Sequence, residues 1–173
     1  RRAFRDRGQY LGDPDFVTAP VQRLIHPYYA DGQRVGIRLD KATPSASLPG
    51  LTPWRPMGND TTHFSILDAE GNRVSATMSL NFWFGNGIMI PDTGVVLNNE
   101  MDDFSAKPGS PNDYGLIGFT ANEIQPHKRP LSSMSPTLMI GNDKAAVIGT
   151  PGGSRIITMV LLGILDFMDG NGP

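Results

Sequence analysis

The stretch that decides the fold is Thr61-Thr62-His63-Phe64-Ser65-Ile66-Leu67, then Asp68-Ala69-Glu70-Gly71-Asn72, then Arg73-Val74-Ser75-Ala76-Thr77-Met78-Ser79-Leu80-Asn81. Successive side chains of a strand point to opposite faces. Thr62, Phe64 and Ile66 therefore share one side, and Thr61, His63 and Ser65 the other. The return run repeats the alternation, with Val74, Ala76, Met78 and Leu80 against Ser75, Thr77, Ser79 and Asn81. Two period-2 runs around a short Gly-Asn loop predict a β-hairpin. One of its faces is apolar, and the other carries hydroxyls and amides.

Downstream, residues 87–97 give two short apolar pieces around Pro91-Asp92-Thr93-Gly94. Residues 102–130 are rich in Pro, Gly, Asn and Asp and read as a long loop, of the kind used as a lid or binding loop or left disordered. Residues 137–140 and 145–148 predict a second hairpin around Gly141-Asn142-Asp143-Lys144. After Pro151-Gly152-Gly153-Ser154, the apolar positions Ile156, Ile157, Val160, Leu161, Ile164, Leu165 and Met168 predict a helix buried between layers. Upstream, residues 1–39 read as loop and helix, with a weak helical pattern over 21–39 interrupted by Pro27 and Gly32. Residues 40–60 hold Pro44, Pro49, Pro53 and Pro56 with Gly50 and Gly58, the composition of a linker or exposed tail. Hairpins plus a core helix predict a layered α+β domain.

The chain has 173 residues, 39% of them hydrophobic, enough for one domain with a sizeable core. A net charge of −2 offers no footprint for nucleic acid or a polybasic membrane contact. There is no cysteine, which excludes disulfide and thiol chemistry. The longest apolar run, 156–168, is too short and too polar to span a bilayer. The first residues, Arg1-Arg2-Ala3-Phe4, show neither Met nor a signal-like segment, and both ends read as cut.

His26, His63 and His127 are scattered, with no ligand spacing, and no metal or other cofactor is expected. The run Asn98-Asn99-Glu100-Met101-Asp102-Asp103 suits a cation, either a hard metal ion or an ammonium group; a solvated turn is the plainer reading. Gly152-Gly153 reads as a tight strand-to-helix turn or as a source of backbone N–H donors for an oxyanion. Ser132, Ser133 and Ser135 lie between Pro130 and Pro136, a polar turn able to donate to a carboxylate. Thr61 is either strand decoration or a nucleophile unmasked by cutting the chain in front of it. A Thr hydroxyl needs a base, and its own α-amine serves only when the residue is an N-terminus. That amine titrates at about 7.7–8.0, so its free base is accessible at neutral pH. The chemistry requires cleavage of Asp60–Thr61, next to a stretch that tolerates a cut.

Taken in order, these pieces resemble γ-glutamyltransferase (γ-glutamyltranspeptidase), an autoprocessed N-terminal nucleophile hydrolase. The resemblance rests on Leu11-Gly12-Asp13-Pro14, Thr61-Thr62-His63, Leu97-Asn98-Asn99-Glu100-Met101-Asp102-Asp103-Phe104-Ser105, Pro130-Leu131-Ser132-Ser133-Met134-Ser135-Pro136-Thr137 and Gly152-Gly153-Ser154-Arg155-Ile156-Ile157-Thr158. It implies a four-layer αββα sandwich, here partial. It divides the chain into residues 1–60, the end of a large subunit, and residues 61–173, the start of the small catalytic one.

By position the resemblance makes Thr61 the nucleophile and Ser79 its supporting hydroxyl, where the family has threonine. Asn81, Glu100 and Asp103 hold the substrate α-amine, and Ser132 and Ser133 its α-carboxylate. Gly152 and Gly153 form the oxyanion hole, Tyr114 belongs to a lid, and Asp60–Thr61 is the processing bond. The arginine that joins the carboxylate site is expected outside these residues. Phe82 and Trp83 depart from the smaller or polar residues expected there; either they narrow the acceptor side in favour of water, or they are core filler. The implied substrates are glutathione, glutamine and related γ-glutamyl compounds, with water or amino-acid and peptide acceptors. The implied partner is the large subunit after self-cleavage, in a periplasmic or secreted setting. Two other readings remain: a β-lactam side-chain acylase of the same superfamily, disfavoured by Glu100 and Asp103, and a non-enzymatic cation-binding domain.

Overall fold

The computed structural model describes residues 1–44, 47–48, 61–141 and 144–170. The processing residue Asp60, most of the linker and the Asn142-Asp143 turn lie outside the described residues. The chain divides into two compact units, Arg1–Pro56 with Met101–Leu131, and Met57–Glu100 with Ser132–Pro173.

The first unit contains helices α1 (Arg2–Tyr10), α2 (Val21–Leu24) and α3 (Pro27–Val35). The helical pattern breaks before Pro27 as expected, and Pro27 then opens α3, where its missing N–H has no helical partner to lose; Gly32, expected as a second interruption, lies inside α3. The His26 ring caps the same end, accepting from the Tyr28 N–H at 3.2 Å. Tyr29 on α3 donates its hydroxyl to Asp6 on α1 at 2.9 Å. Residues 101–131 are mostly irregular. They include a short antiparallel bridge between Pro111 and Ile117 and a 3-10 turn at Thr120–Asn122. Buried Asn122 ties this loop together, donating to the Asp103 carbonyl at 2.8 Å and accepting from the Leu131 N–H at 3.0 Å. Leu48 and Phe104 are the buried apolar side chains of this unit among the described residues.

The second unit contains both hairpins. Strands β1 (Thr61–Leu67) and β2 (Arg73–Ser79) pair antiparallel, with Thr61 opposite Ser79, His63 opposite Thr77 and Ser65 opposite Ser75. Asp68 closes the turn by accepting from the Asn72 backbone N–H at 2.7 Å and side-chain amide at 2.6 Å, which hold its carboxyl below the usual carboxylate range. Gly71 takes a φ of 87° there, a conformation that costs glycine little. Strands β3 (Thr137–Ile140) and β4 (Ala145–Ile148) form the second hairpin, with Thr137 opposite Ile148. Helix α4 runs Ile156–Met168.

The hydroxyl face of β1–β2 meets the second hairpin. Ser75 Oγ donates to the Ile148 carbonyl at 2.9 Å and accepts from the Thr137 N–H at 3.1 Å, and Ser65 Oγ donates to the Val147 carbonyl at 3.1 Å. Phe64, Ile66, Val74 and Met78, on the opposite face, are exposed. The helix departs from expectation in the same way. Only Ile156 and Val160 of α4 are buried, one turn apart on one stripe, while Leu161, Leu162, Leu165 and Met168 are exposed. The described residues display mixed helix and strand content.

Candidate active site

Thr61 is the first residue of β1, and register places its side chain beside that of Ser79. Thr61 Oγ1 donates to Ser79 Oγ at 3.3 Å, and Ser79 Oγ also accepts from the Asn81 backbone N–H at 2.9 Å. The second bond ends the strand. Asn81 adopts a φ of 74°, which Asn tolerates better than most residues, and it is 3% exposed. Its side-chain amide donates to the Asn99 carbonyl at 3.1 Å, the Asn99 side-chain oxygen accepts from the Phe82 N–H at 3.0 Å, and the Asn99 N–H donates to the Leu80 carbonyl at 3.1 Å. This cross-link fixes the end of the hairpin against the start of the acidic run. The sequence showed Asn99 only as one member of that run.

Glu100 opens a 3-10 turn, Glu100–Asp103, its backbone N–H donating to the Asn98 side-chain oxygen at 3.0 Å. Asp103, in the first unit, lines a cavity of about 220 Å³ together with Arg7, Asp102, Lys107 and Asn112. Burial pulls the Arg7 guanidinium below its ordinary value, opposed by the charge of Asp103. Arg7 carries no motif signal in the sequence, and only the fold brings it to Asp103. Tyr114, also in the first unit, is half-buried at the tip of the 111–117 turn, its N–H donating to the Asn112 side chain at 3.1 Å.

The second unit holds the remaining candidates. Ser132 is exposed, and its hydroxyl accepts from the Met134 N–H at 3.0 Å. Ser133 is half-buried, and its carbonyl accepts from the Ser135 hydroxyl at 3.1 Å. Gly152 and Gly153 have φ values of 137° and 56° and lead into a 3-10 turn, Gly153–Arg155, that continues as α4. Neither glycine N–H is engaged in a hydrogen bond among the described residues. Of the two rings that depart from expectation, Phe82 is half-buried and Trp83 is 74% exposed.

His63 joins the first hairpin to the segment that follows β4. Its Nε2 lies 3.1 Å from Ser65 Oγ, and its Nδ1 lies 2.8 Å from Thr77 Oγ1. Ser65 spends its one hydroxyl hydrogen on the Val147 carbonyl. It must therefore accept from Nε2–H, which leaves Nδ1 of the neutral ring to accept from Thr77. The ring rests on Gly149, where a Cβ would fall 2.2 Å from ring atoms. The scattered histidines thus include one with a structural task, visible in the sequence only as a residue opposite Thr77. Among the described residues no group of three or more His, Cys, Asp or Glu side chains is placed to hold a metal ion, and no helix is long and apolar enough to cross a membrane.

The family profile described as Gamma-glutamyltranspeptidase matches residues 1–172. The chain is 51% identical over 170 residues to the glutathione hydrolase proenzyme of Escherichia coli (strain K12), covering 96% of this chain and 29% of that protein. It is 52% identical over 171 residues to the same-named protein of Pseudomonas sp. (strain A14), covering 98% and 29%. The chain thus spans about three-tenths of the length of these relatives. A crystal structure of a Helicobacter pylori gamma-glutamyltranspeptidase mutant superposes with a TM-score of 0.61 at 54% identity, covering 65% of this chain and 61% of that one. An acivicin-inhibited gamma-glutamyltranspeptidase, whose structure is described as revealing roles for its C-terminus in autoprocessing and catalysis, gives the same TM-score and identity over 65% and 60%.

Proposed function

Because the chain belongs to the gamma-glutamyltranspeptidase family, we propose that it carries the nucleophile and most of the substrate contacts of an enzyme that cleaves γ-glutamyl amides such as glutathione and first cuts itself before Thr61. The observation that carries the reading is the Thr61 Oγ1 to Ser79 Oγ hydrogen bond at the first residue of a strand. It supports a hydroxyl held in place, as a nucleophile requires, where a cut would free the adjacent amine.

In this reading the Thr61 hydroxyl attacks the Asp60 carbonyl, the acyl group shifts from nitrogen to oxygen and frees the Thr61 amine, and water hydrolyses the resulting ester to the Asp60 carboxylate and the Thr61 hydroxyl. In turnover the amine takes the hydroxyl proton as Oγ1 attacks the γ-carbonyl. The N–H groups of Gly152 and Gly153 hold the oxyanion, each contributing about 3 kcal/mol by comparison with other oxyanion donors. The leaving amine departs with a proton. Water or an amino-acid or peptide acceptor then takes the γ-glutamyl group from Thr61. Asn81, Glu100 and Asp103 receive the substrate α-amine, Ser132 and Ser133 its α-carboxylate, and Tyr114 belongs to the lid. The four-layer sandwich, the subunit boundary at Asp60–Thr61 and a periplasmic or secreted location belong to the same reading. The proenzyme names of the relatives support the self-cutting step. Nothing in the comparisons favours the acylase alternative.

Thr61→Ala in the full-length protein tests it. Intact mass should show one uncut species with no release from a chromogenic γ-glutamyl anilide, against two chains and turnover in the wild type. Equal cleavage and turnover in the variant would refute the mechanism.

A further inference from the structure

The first unit is built from chain on both sides of Asp60–Thr61. Helix α1 and the residues after it approach the 117–121 segment through two glycines. A Cβ on Gly8 would lie 2.2 Å from the Ile117 carbonyl oxygen, and one on Gly12 would lie 2.0 Å from that of Ala121. The Phe119 N–H donates to the Gly8 carbonyl at 3.1 Å. Beside this seam the Asp13 side chain is 1% exposed. It accepts from Arg129 three times: from the backbone N–H at 2.8 Å, from Nε at 2.9 Å and from Nη2 at 2.6 Å. Arg129 Nη2 also reaches Asp15, and the Asp15 N–H donates to Asp13 at 3.1 Å. Nearly all the compensation for one buried carboxylate thus comes from the far side of the processing bond.

We propose that the Asp13–Arg129 pair is the latch that keeps the two chains associated after the Asp60–Thr61 bond is cut. The proposal rests on the self-cutting reading. While the chain is continuous, the pair is an internal contact whose partners cannot diffuse apart. Cleavage turns it into a contact between subunits, and its loss then shows as dissociation. The pair is asymmetric. Arg129 is 64% exposed, so water can solvate it alone, whereas truncating it leaves the buried Asp13 charge without both guanidinium bonds and with only the backbone N–H groups of residues 129 and 15. Removing Arg129 should therefore harm association more than neutralising Asp13 as Asn.

The test uses full-length protein that has processed itself, with a tag on one chain. Dilution followed by size exclusion measures the concentration at which the untagged chain is lost. For Arg129→Ala, mass spectrometry should give the same cut site as wild type, and the dissociation concentration should rise about tenfold or more. Asp13→Asn should give a smaller rise. In the uncut Thr61→Ala background, Arg129→Ala should leave one monodisperse species. Cut chains that hold together equally with and without Arg129 would overturn the latch alone. Aggregation of the uncut double variant would also overturn it, by showing a general folding role. A wild-type protein never cut before Thr61 would remove the self-cutting reading and the latch with it. If Arg129→Ala accumulates uncut, Asp13→Asn decides: wild-type retention overturns the latch, and a raised dissociation concentration supports it.

Discussion

Replacing Gly149 with Ala should destabilise the protein through a single contact, the His63 ring. A Cβ at position 149 would lie 2.2 Å from both Cε1 and Nδ1 of His63 and 2.8 Å from Nε2. Gly149 does not occupy the left-handed region, so alanine suits its backbone and the ring is the obstacle. Ordinary contact requires the ring to withdraw by more than about 1 Å. That movement breaks the 2.8 Å contact with Thr77 and the 3.1 Å contact with Ser65. Each bond contributes about 0.5–1.5 kcal/mol net, the exposed one to Ser65 at the low end. Overpacking adds about 1–3 kcal/mol. The sum is about 2–5 kcal/mol, read as a lower urea midpoint at unchanged slope. In a His63→Ala background the same substitution should cost less than about 1 kcal/mol, since the clash partner is gone, giving a coupling of about 2 kcal/mol. Gly149 lies three residues before Gly152, so turnover should fall in kcat with little change in KM. A neutral Gly149→Ala, or an equal cost in both backgrounds, would refute the contact as the cause.

Ser79→Ala removes the acceptor that orients Thr61 and the one that ends β2 at Asn81; processing and turnover should both slow by about tenfold, with Ser79→Thr near wild type, measured as the rate of appearance of cut chain and of anilide release. Stability should fall at acid pH through Asp13. Its carboxyl is held well below the usual range, first by side-chain hydrogen bonds from Arg129, with the charge of Arg129 adding to this and Asp15 the other carboxylate nearby. A depressed folded-state value means the contribution is present above the unfolded carboxylate pKa and is lost as pH falls through the folded one. Asp13→Asn should therefore flatten the acid limb of a plot of urea midpoint against pH, and an unchanged limb would refute the assignment.

Period-2 alternation located both hairpins to within a residue or two; the register that sets Thr61 opposite Ser79 came from the structure, although the resemblance had already linked the two residues. What alternation cannot say is which face is covered. The hydroxyls of Ser65 and Ser75 find carbonyls on β4, so the polar face of β1–β2 meets the second hairpin while Phe64 and Ile66 stay exposed. For the same reason the stripe on α4 marked a helix without showing that only Ile156 and Val160 would be buried. The break expected at Pro27 is present, between Leu24 and Pro27, whereas Gly32 lies inside α3, where a glycine costs helix stability without ending it. The candidate site was legible where short motifs carried it. Arg7 beside Asp103, and Asn99 locked to Asn81, depend on contacts across 18 residues or more and leave no local pattern.

The Thr61–Ser79 bond also constrains the order of chemical events in the proposed reaction. Thr61 donates to Ser79, so its oxygen keeps lone pairs directed elsewhere, while Ser79 already accepts a second bond from the Asn81 N–H. A serine hydroxyl is far too weak a base to remove the Thr61 proton at neutral pH, so Ser79 orients the nucleophile without activating it. While Thr61 is joined to Asp60 its nitrogen is an amide with no basic lone pair. The first attack, on the Asp60 carbonyl, must proceed without the base that serves every later one, and it is unimolecular, gaining from proximity what it lacks in activation. A single self-cut can therefore be slow while turnover is fast. The same Ser79 should matter to both steps, whereas the α-amine can act only once the acyl shift has freed it, in the hydrolysis of the ester and in turnover.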